Sequence, residues 1–273
     1  MGLLTIDESK CKKDGFCAQE CPAVIIRFSE GSFPKILTID EARCMDCGHC
    51  VAVCPHDALD HAHIPMSKSP SIRKDLKINE AQAIQFLRSR RSIRRYQDKP
   101  VEKELIQKLI ETARYAPTAG NSQTIEWLVI TDKTKLHEIG GLTVDWLREI
   151  AKNPQVIAAA PYIPTAIAAW DSGYDAVLRG APVVVTAMAP KEAMNGLVDL
   201  TLAMSYLDVL AQTMELGTCW AGLLEGALVN SADTRAAMGI PENFTHHYPI
   251  MLGYADVKYY RLPERKAPKI TFM

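Results

Sequence analysis

The sequence predicts an α+β chain in two parts: a small cysteine-rich domain, then a larger domain in which helices and strands alternate. Three observations predict it. Seven of the eight cysteines in the 273 residues fall between positions 11 and 54. A polar stretch containing proline and serine, MSKSPSIRKD at 66–75, reads as a linker. Beyond it, apolar residues at helical spacing alternate with short apolar strands, over a length sufficient for a core of its own. The boundaries are placed at 1–62 for the first domain, 63–78 for the linker and 79–273 for the second domain.

The second cysteine group reads Cys44-x2-Cys47-x2-Cys50-x3-Cys54-Pro55. Three cysteines spaced by two residues can curl around one iron–sulfur cube, and a fourth before proline points to another, as in bacterial ferredoxins. Upstream, Cys11-x5-Cys17-x3-Cys21-Pro22 repeats the frame, with Asp14 where the second cysteine belongs. Disulfide frameworks belong to short chains with dispersed cysteines, and zinc knuckles pair CxxC units without this uninterrupted run. Ile6 and Ile39 begin the two halves, and each half should be a ligand loop followed by a short helix. By the crossover of the fourth cysteine, one cluster takes Cys11, Cys17 and Cys54 with Asp14 as its possible fourth ligand, and the other takes Cys21, Cys44, Cys47 and Cys50. Asp14 leaves three readings open: an oxygen ligand to iron, a three-iron cluster, or a polar loop residue. His56, His61 and His63 read as solvated surface histidines and receive no role.

Composition excludes several partners. Lys and Arg number 31 against 32 Asp and Glu, so no global field favours nucleic acid or anionic lipid. No stretch reaches the roughly 20 apolar residues needed to cross a bilayer. The opening MGLLTIDESK has no apolar h-region, which predicts a protein without an export signal and a cytoplasmic location.

In the second domain Asn79 and Gln82 form a capping-box pattern at the start of a helix through Arg90. A second helix, about 101–115, carries Val101, Leu105, Ile106, Leu109, Ile110 and Ala113 on one face and stops before Pro117. WLVIT (127–131), PVVVTAM (182–188) and YPIMLGY (248–254) read as buried strands. The segment 197–216 reads as a central helix, apolar all round, ending at Gly217 as a C-terminal cap.

Four local motifs carry chemistry. RRSIRRY (90–96) sets guanidinium groups, the preferred bidentate partners of phosphate, at a helix end. APTAGNSQ (116–123) offers the amides of Asn121 and Gln123, which donate and accept at once. GTCWAG (217–222) has small residues that let the backbone approach a flat ligand, and RLPERK (261–266) adds a second basic cluster. Cys219 and Trp220 read as packing, because nothing nearby in sequence would lower the thiol's pKa. Trp146, Tyr162, Trp170 and Tyr174 read as a candidate substrate-cleft wall.

In their order and spacing these motifs resemble the FMN-dependent nitroreductase family, and the whole chain resembles its ferredoxin-fused members. The resemblance implies a mixed sheet flanked by helices, built as an intertwined homodimer with FMN in the subunit interface. It implies that Arg90, Arg91, Ser92 and Arg94 hold the FMN phosphate and ribityl chain, with Arg265 and Lys266 closing over the phosphate. Pro117, Thr118, Asn121 and Gln123 would line or contact the flavin, the backbone at Ala221 and Gly222 would face its ring, and GYDAVLRGAP (173–182) with Arg179 also matches. One departure is visible: Gln123 is followed by Thr124 and Ile125, where the family usually has Pro-Trp.

Joined, the halves predict an oxidoreductase. Electrons from a low-potential donor, a ferredoxin or a reductase, pass through two clusters to FMN and on to a small planar acceptor such as a nitroaromatic, quinone or activated alkene. Two alternatives remain: oxidation of NAD(P)H or an organic substrate at FMN with export of electrons through the clusters, and a non-enzymatic redox sensor or carrier.

Overall fold

The computed structural model describes residues 2–273, which divide into two units: residues up to Ile78, joined by Gly120–Ser122, and Asn79–Ala119 with Gln123–Met273.

The first unit is built on a repeat. Positions 33 residues apart correspond throughout, from Cys11 and Cys44 to Cys21 and Cys54. The backbone repeats with them: Lys13, Gly15 and Val24 have positive φ, and so do Asp46, Gly48 and Asp57. Gly15 (φ 77°) and Gly48 (φ 72°) each turn the ligand loop into a four-residue helix, α1 (Phe16–Gln19) and α3 (His49–Ala52). Strand β1 (Leu4–Ile6) precedes the first loop, and β2 (Ile26–Arg27) pairs with β3 (Lys35–Ile36). Helix α2 (Thr38–Glu41) precedes the second loop, and β4 (Leu59–His61) returns antiparallel to β1 with His61 opposite Leu4. The halves thus meet the expectation of ligand loops followed by short helices. Cys17, Ile25, Ile26, Val51 and Leu59 form the small buried cluster of the unit.

The second unit opens with α4 (Glu80–Ser89). The expected capping box is present: Gln82 N donates to Asn79 Oδ1 and Asn79 N to Gln82 Oε1, both at 2.9 Å. Next come α5 (Lys103–Ala113), β5 (Glu126–Ile130), α6 (Lys133–Ile150), α7 (Pro154–Ala159), α8 (Ile163–Asp171) and β6 (Val183–Ala189). The chain ends with α9 (Gly196–Ala211), β7 (Leu216–Trp220), α10 (Gly222–Asn230), α11 (Ala232–Met238) and β8 (His246–Tyr254). The sheet order is β5-β6-β8-β7, with all three strand pairs antiparallel. A parallel bridge, Ser92 to Thr218, extends it.

All seven residues of β6 are buried, and their alternation sorts the two faces. Val183, Val185, Ala187 and Ala189 pack with Leu200, Met204 and Leu207 of α9 and with Ile106 and Leu109 of α5. Val184 and Met188 pack on the other face with Ile139 of α6 and Leu224 and Leu228 of α10. Helices therefore cover both sides of the sheet.

Helix 197–216 requires correction. It stops at Ala211; a tight turn over Gln212–Met214 and a left-handed Glu215 (φ 59°) lead into β7. Gly217 is not a helix cap but a strand residue opposite Gly253, and a Cβ there would meet Ile93 at 2.5 Å. Pairing with β8 ends the helix, and that long-range partner leaves no local mark. Nor is α9 buried all round, since Leu197, Val198, Leu202 and Tyr206 are exposed.

Candidate functional site

In the first unit one recess is lined by Cys21, Cys44, Cys47 and Cys50, with Leu3, Ile25 and His61 around them. A second recess is lined by Cys11, Asp14, Cys17 and Cys54, with Phe16 and His56. Cys21 thus lies with the later group and Cys54 with the earlier one. Burial pushes the Cys50 thiol up to about 11, reinforced by the neighbouring Cys47, Cys44 and Cys21, and raises Cys17 and Cys44 as well. Sulfurs crowded in a recess that penalises thiolates suit a multivalent iron cluster, whose positive charge removes that penalty. Asp14 adds a harder donor to the second recess, and its Oδ2 lies 2.8 Å from His56 Nε2.

The histidines need a second correction. His61 is not a surface residue but 2% exposed. Its Nε2 lies 3.5 Å from Cys44 Sγ, and burial lowers its pKa despite the nearby Asp46. His63 is exposed and contacts Asp46 at 2.9 Å. The sequence carried no signal for the difference, because the β1–β4 pairing covers position 61 and leaves position 63 outside.

In the second unit RRSIRRY runs alongside the sheet edge. Ile93 N donates to Thr218 O at 2.8 Å, so the first and third motifs are neighbours. Arg90 and Arg91 share one recess with Arg265, Pro263 and Glu264, and a second with Ser89, Ile93, Asp208, Gly217 and Thr218. Arg91 Nε is buried without a hydrogen-bond partner. A buried guanidinium donor left unpaired beside two further arginines suits a phosphate. Arg94 and Lys266 are exposed.

Sequence reasoning missed the acids behind these groups. Asp208, 6% exposed, accepts from Thr218 Oγ1 and from Trp220 Nε1 (3.1 Å), and its Oδ2 lies 3.6 Å from Arg90. Trp220 therefore does more than pack; its N–H holds a buried carboxylate in place. Asp199, also buried, accepts from Ala119 N at 3.1 Å and so anchors the loop after Pro117. An acid whose partners lie 10 to 80 residues or more away in the chain has no sequence signature beyond an acidic residue on an apolar helix face.

Thr118 Oγ1 accepts from Gln123 N at 3.1 Å, and Gln123 has a positive φ of 50°. Asn121 Nδ2 donates to Met45 O and Asp46 O, both at 2.9 Å, leaving its Oδ1 as an acceptor. Thr124, part of the departure noted above, has a buried Oγ1 without a partner, while Ile125 packs on the core. Ala221 N donates to Pro249 O at 3.0 Å, and Gly222 opens α10, where a Cβ would touch the Tyr248 hydroxyl at 3.6 Å. Cys219 is buried; burial raises its thiol's pKa, although Arg94 and Arg179 pull the other way. Those charges went unseen in sequence, yet the reading of Cys219 as packing stands. Arg179 has φ 58°, and Asp175 accepts from the backbone N of Val177, Leu178 and Gly180 on either side of it.

The aromatic wall divides. Trp170 stacks on His137 with centroids 4.9 Å apart, and Trp146 packs against Gly226. Tyr162 and Tyr174 are exposed.

Residues 87–254 match the nitroreductase family over more than half of the chain. The chain belongs to the nitroreductase family. Residues 9–58 match a 4Fe-4S dicluster domain, so this nitroreductase carries an N-terminal iron–sulfur domain. It is similar to a candidate NADH dehydrogenase/NAD(P)H nitroreductase of Methanothermobacter thermautotrophicus, 25% identical over 190 residues that cover 67% of this chain and 83% of the relative. An FMN reductase [NAD(P)H] of Bacillus subtilis is 26% identical over 147 residues, 53% of this chain and 55% of that protein. Among solved structures, a nitroreductase with bound FMN from Bacteroides fragilis superposes with a TM-score of 0.57 at 20% identity, covering 72% of this chain and all of the other. That likeness is one of fold. The protein is an oxidoreductase of nitroreductase type with an iron–sulfur domain.

Proposed function

We propose that this nitroreductase binds FMN and two iron–sulfur clusters and passes electrons from a low-potential donor to a small planar organic acceptor. The observation that carries the reading is the grouping of cysteines in two recesses, with Cys21 beside Cys44, Cys47 and Cys50, and Cys54 beside Cys11, Cys17 and Asp14. That crossover suits two clusters bound side by side and has no use in a zinc knuckle.

Arg90, Arg91 and Arg265 hold the FMN phosphate, with Ser92 and Arg94 on the ribityl side and Lys266 adding charge. Asp208 fixes Arg90, which keeps one guanidinium oriented before the ligand arrives. Pro117, Thr118, Asn121 and Gln123 line the flavin, Asn121 through its free Oδ1. Ala221 and Gly222 present backbone to the ring. Bound in these sites, the clusters supply one-electron transfer and the flavin supplies hydride transfer to the acceptor.

Two further readings rest on the same chain. A homodimer is supported by the exposed apolar face of α9 and the exposed Ile270 and Phe272. A cytoplasmic location is supported by eight free cysteines, seven of them suited to metal. Among the described residues no helix is long and apolar enough to cross a membrane. The NAD(P)H in the relatives' names favours a second reading, in which NAD(P)H is oxidised at FMN and electrons leave through the clusters.

The test is anaerobic. Flavin and cluster absorbance are followed while NADH, NADPH or a reduced low-potential ferredoxin is offered separately. Bleaching of the flavin by ferredoxin alone supports the proposal. Rapid bleaching by NAD(P)H moves the second reading to first place.

A further inference from the structure

His61 sits at the inner end of β4, 2% exposed, in the recess of Cys21, Cys44, Cys47 and Cys50. Its Nδ1 accepts from two backbone N–H groups, His63 N at 3.1 Å and Ile64 N at 3.3 Å. A ring nitrogen that accepts two amide hydrogens carries no proton of its own, so the neutral imidazole has its hydrogen on Nε2. Nε2 lies 3.5 Å from Cys44 Sγ, within reach of the larger sulfur atom, and 3.6 Å from Asp46 Oδ1, beyond a hydrogen bond to oxygen. Asp46 is itself engaged by His63 Nδ1 at 2.9 Å. Two backbone donors therefore select the tautomer, and the tautomer aims one N–H at one sulfur.

We propose that His61 is a positioning residue for electron transfer: its Nε2–H donates to the Cys44 sulfur and makes the cluster held by Cys21, Cys44, Cys47 and Cys50 easier to reduce than it would be without that bond. The inference rests on the cluster assignment proposed above. Accepting one electron adds one negative charge to a cluster, and a hydrogen bond to a ligand sulfur is stronger in the more negative state. The potential rises accordingly. The equivalent place 33 residues earlier is occupied by Phe28, which has no N–H to offer. The two halves of the repeat thus differ on both counts, one ligand and one hydrogen-bond donor.

The test compares wild type, His61→Leu, His61→Gln and His63→Leu as full-length anaerobic protein. Iron and sulfide per chain are measured first, then the midpoint of each cluster by potentiometric EPR. With two clusters present, His61→Leu should weaken reduction of one cluster about tenfold, a fall of about 59 mV for a one-electron couple. His61→Gln, which keeps an N–H, should restore part of it, and His63→Leu should leave both midpoints unchanged. Unchanged midpoints in His61→Leu with full iron would overturn the proposal. An iron content of one cluster per chain in wild type would instead overturn the cluster assignment. Should His61→Leu fail to assemble, pulsed EPR of wild type labelled with 15N-histidine decides. A weak 15N coupling to one reduced cluster supports the hydrogen bond. A strong coupling, as from direct ligation, or none, sinks it.

Discussion

In the first unit α1, α2 and α3 have four residues each, and the buried cluster is Cys17, Ile25, Ile26, Val51 and Leu59. In the second, α9 runs for sixteen residues against a strand buried along its whole length, and two buried clusters flank the sheet. The contrast is one of what supplies the folding energy. A domain of the first kind buries too little apolar surface to offset chain entropy, so the metal–sulfur bonds must do it. The second kind carries its own core and can devote its surface arginines to a ligand.

The comparison breaks first on removal of the metal. Anaerobic chelation should bring amide exchange across residues 2–78 close to the unfolded rate, while β6 and β8 stay protected. Hydrogen exchange read by mass spectrometry checks it, and protection persisting in the iron-free first unit would refute the contrast. Next in size is Met204→Ala, which empties a fully buried site between α9 and the sheet. Denaturant unfolding of the second unit should show a loss of about 2–5 kcal/mol. Gly217→Ala sets a methyl against Ile93 at 2.5 Å and should cost about 1–3 kcal/mol in the same assay.

Smaller still is Arg91→Ala, which removes a charged donor to the proposed phosphate. The FMN dissociation constant should rise about 10–100-fold in a fluorescence titration, with the melting temperature of the apoprotein unchanged. An unaltered constant would separate the arginine recess from flavin binding. Smallest is Lys133→Ala: the pair with Asp98 at 2.6 Å is so exposed that the melting temperature should not move.

Legibility followed the range of the interaction. The iron–sulfur domain was readable from the spacing of Cys44, Cys47, Cys50 and Cys54, because a loop that wraps a cube needs donors at set short intervals. The Asn79–Gln82 cap was readable because both hydrogen bonds lie within four residues. The RRSIR, APTAGNSQ and PERK motifs were readable by resemblance, and Arg90, Arg91 and Arg265 do share a recess. The end of α9 was not readable, since Glu215 turns out of the helix only because Leu216 has Tyr254 to pair with. His61 and His63 look alike in sequence, and so do Asp199 and Asp208 beside any other acid on a helix.

Spacing within a few residues was enough to read the two-part architecture, the iron–sulfur domain, the oxidoreductase family and the apolar faces of the helices. The tertiary structure alone decided which polar groups are buried together: His61 with Cys44, Asp208 with Thr218, Trp220 and Arg90, and Asp199 with Ala119. The physical reason is that a buried hydrogen bond draws its strength from the exclusion of water by residues distant in the chain. Strand register and helix packing choose those neighbours, and neither is written in the local pattern.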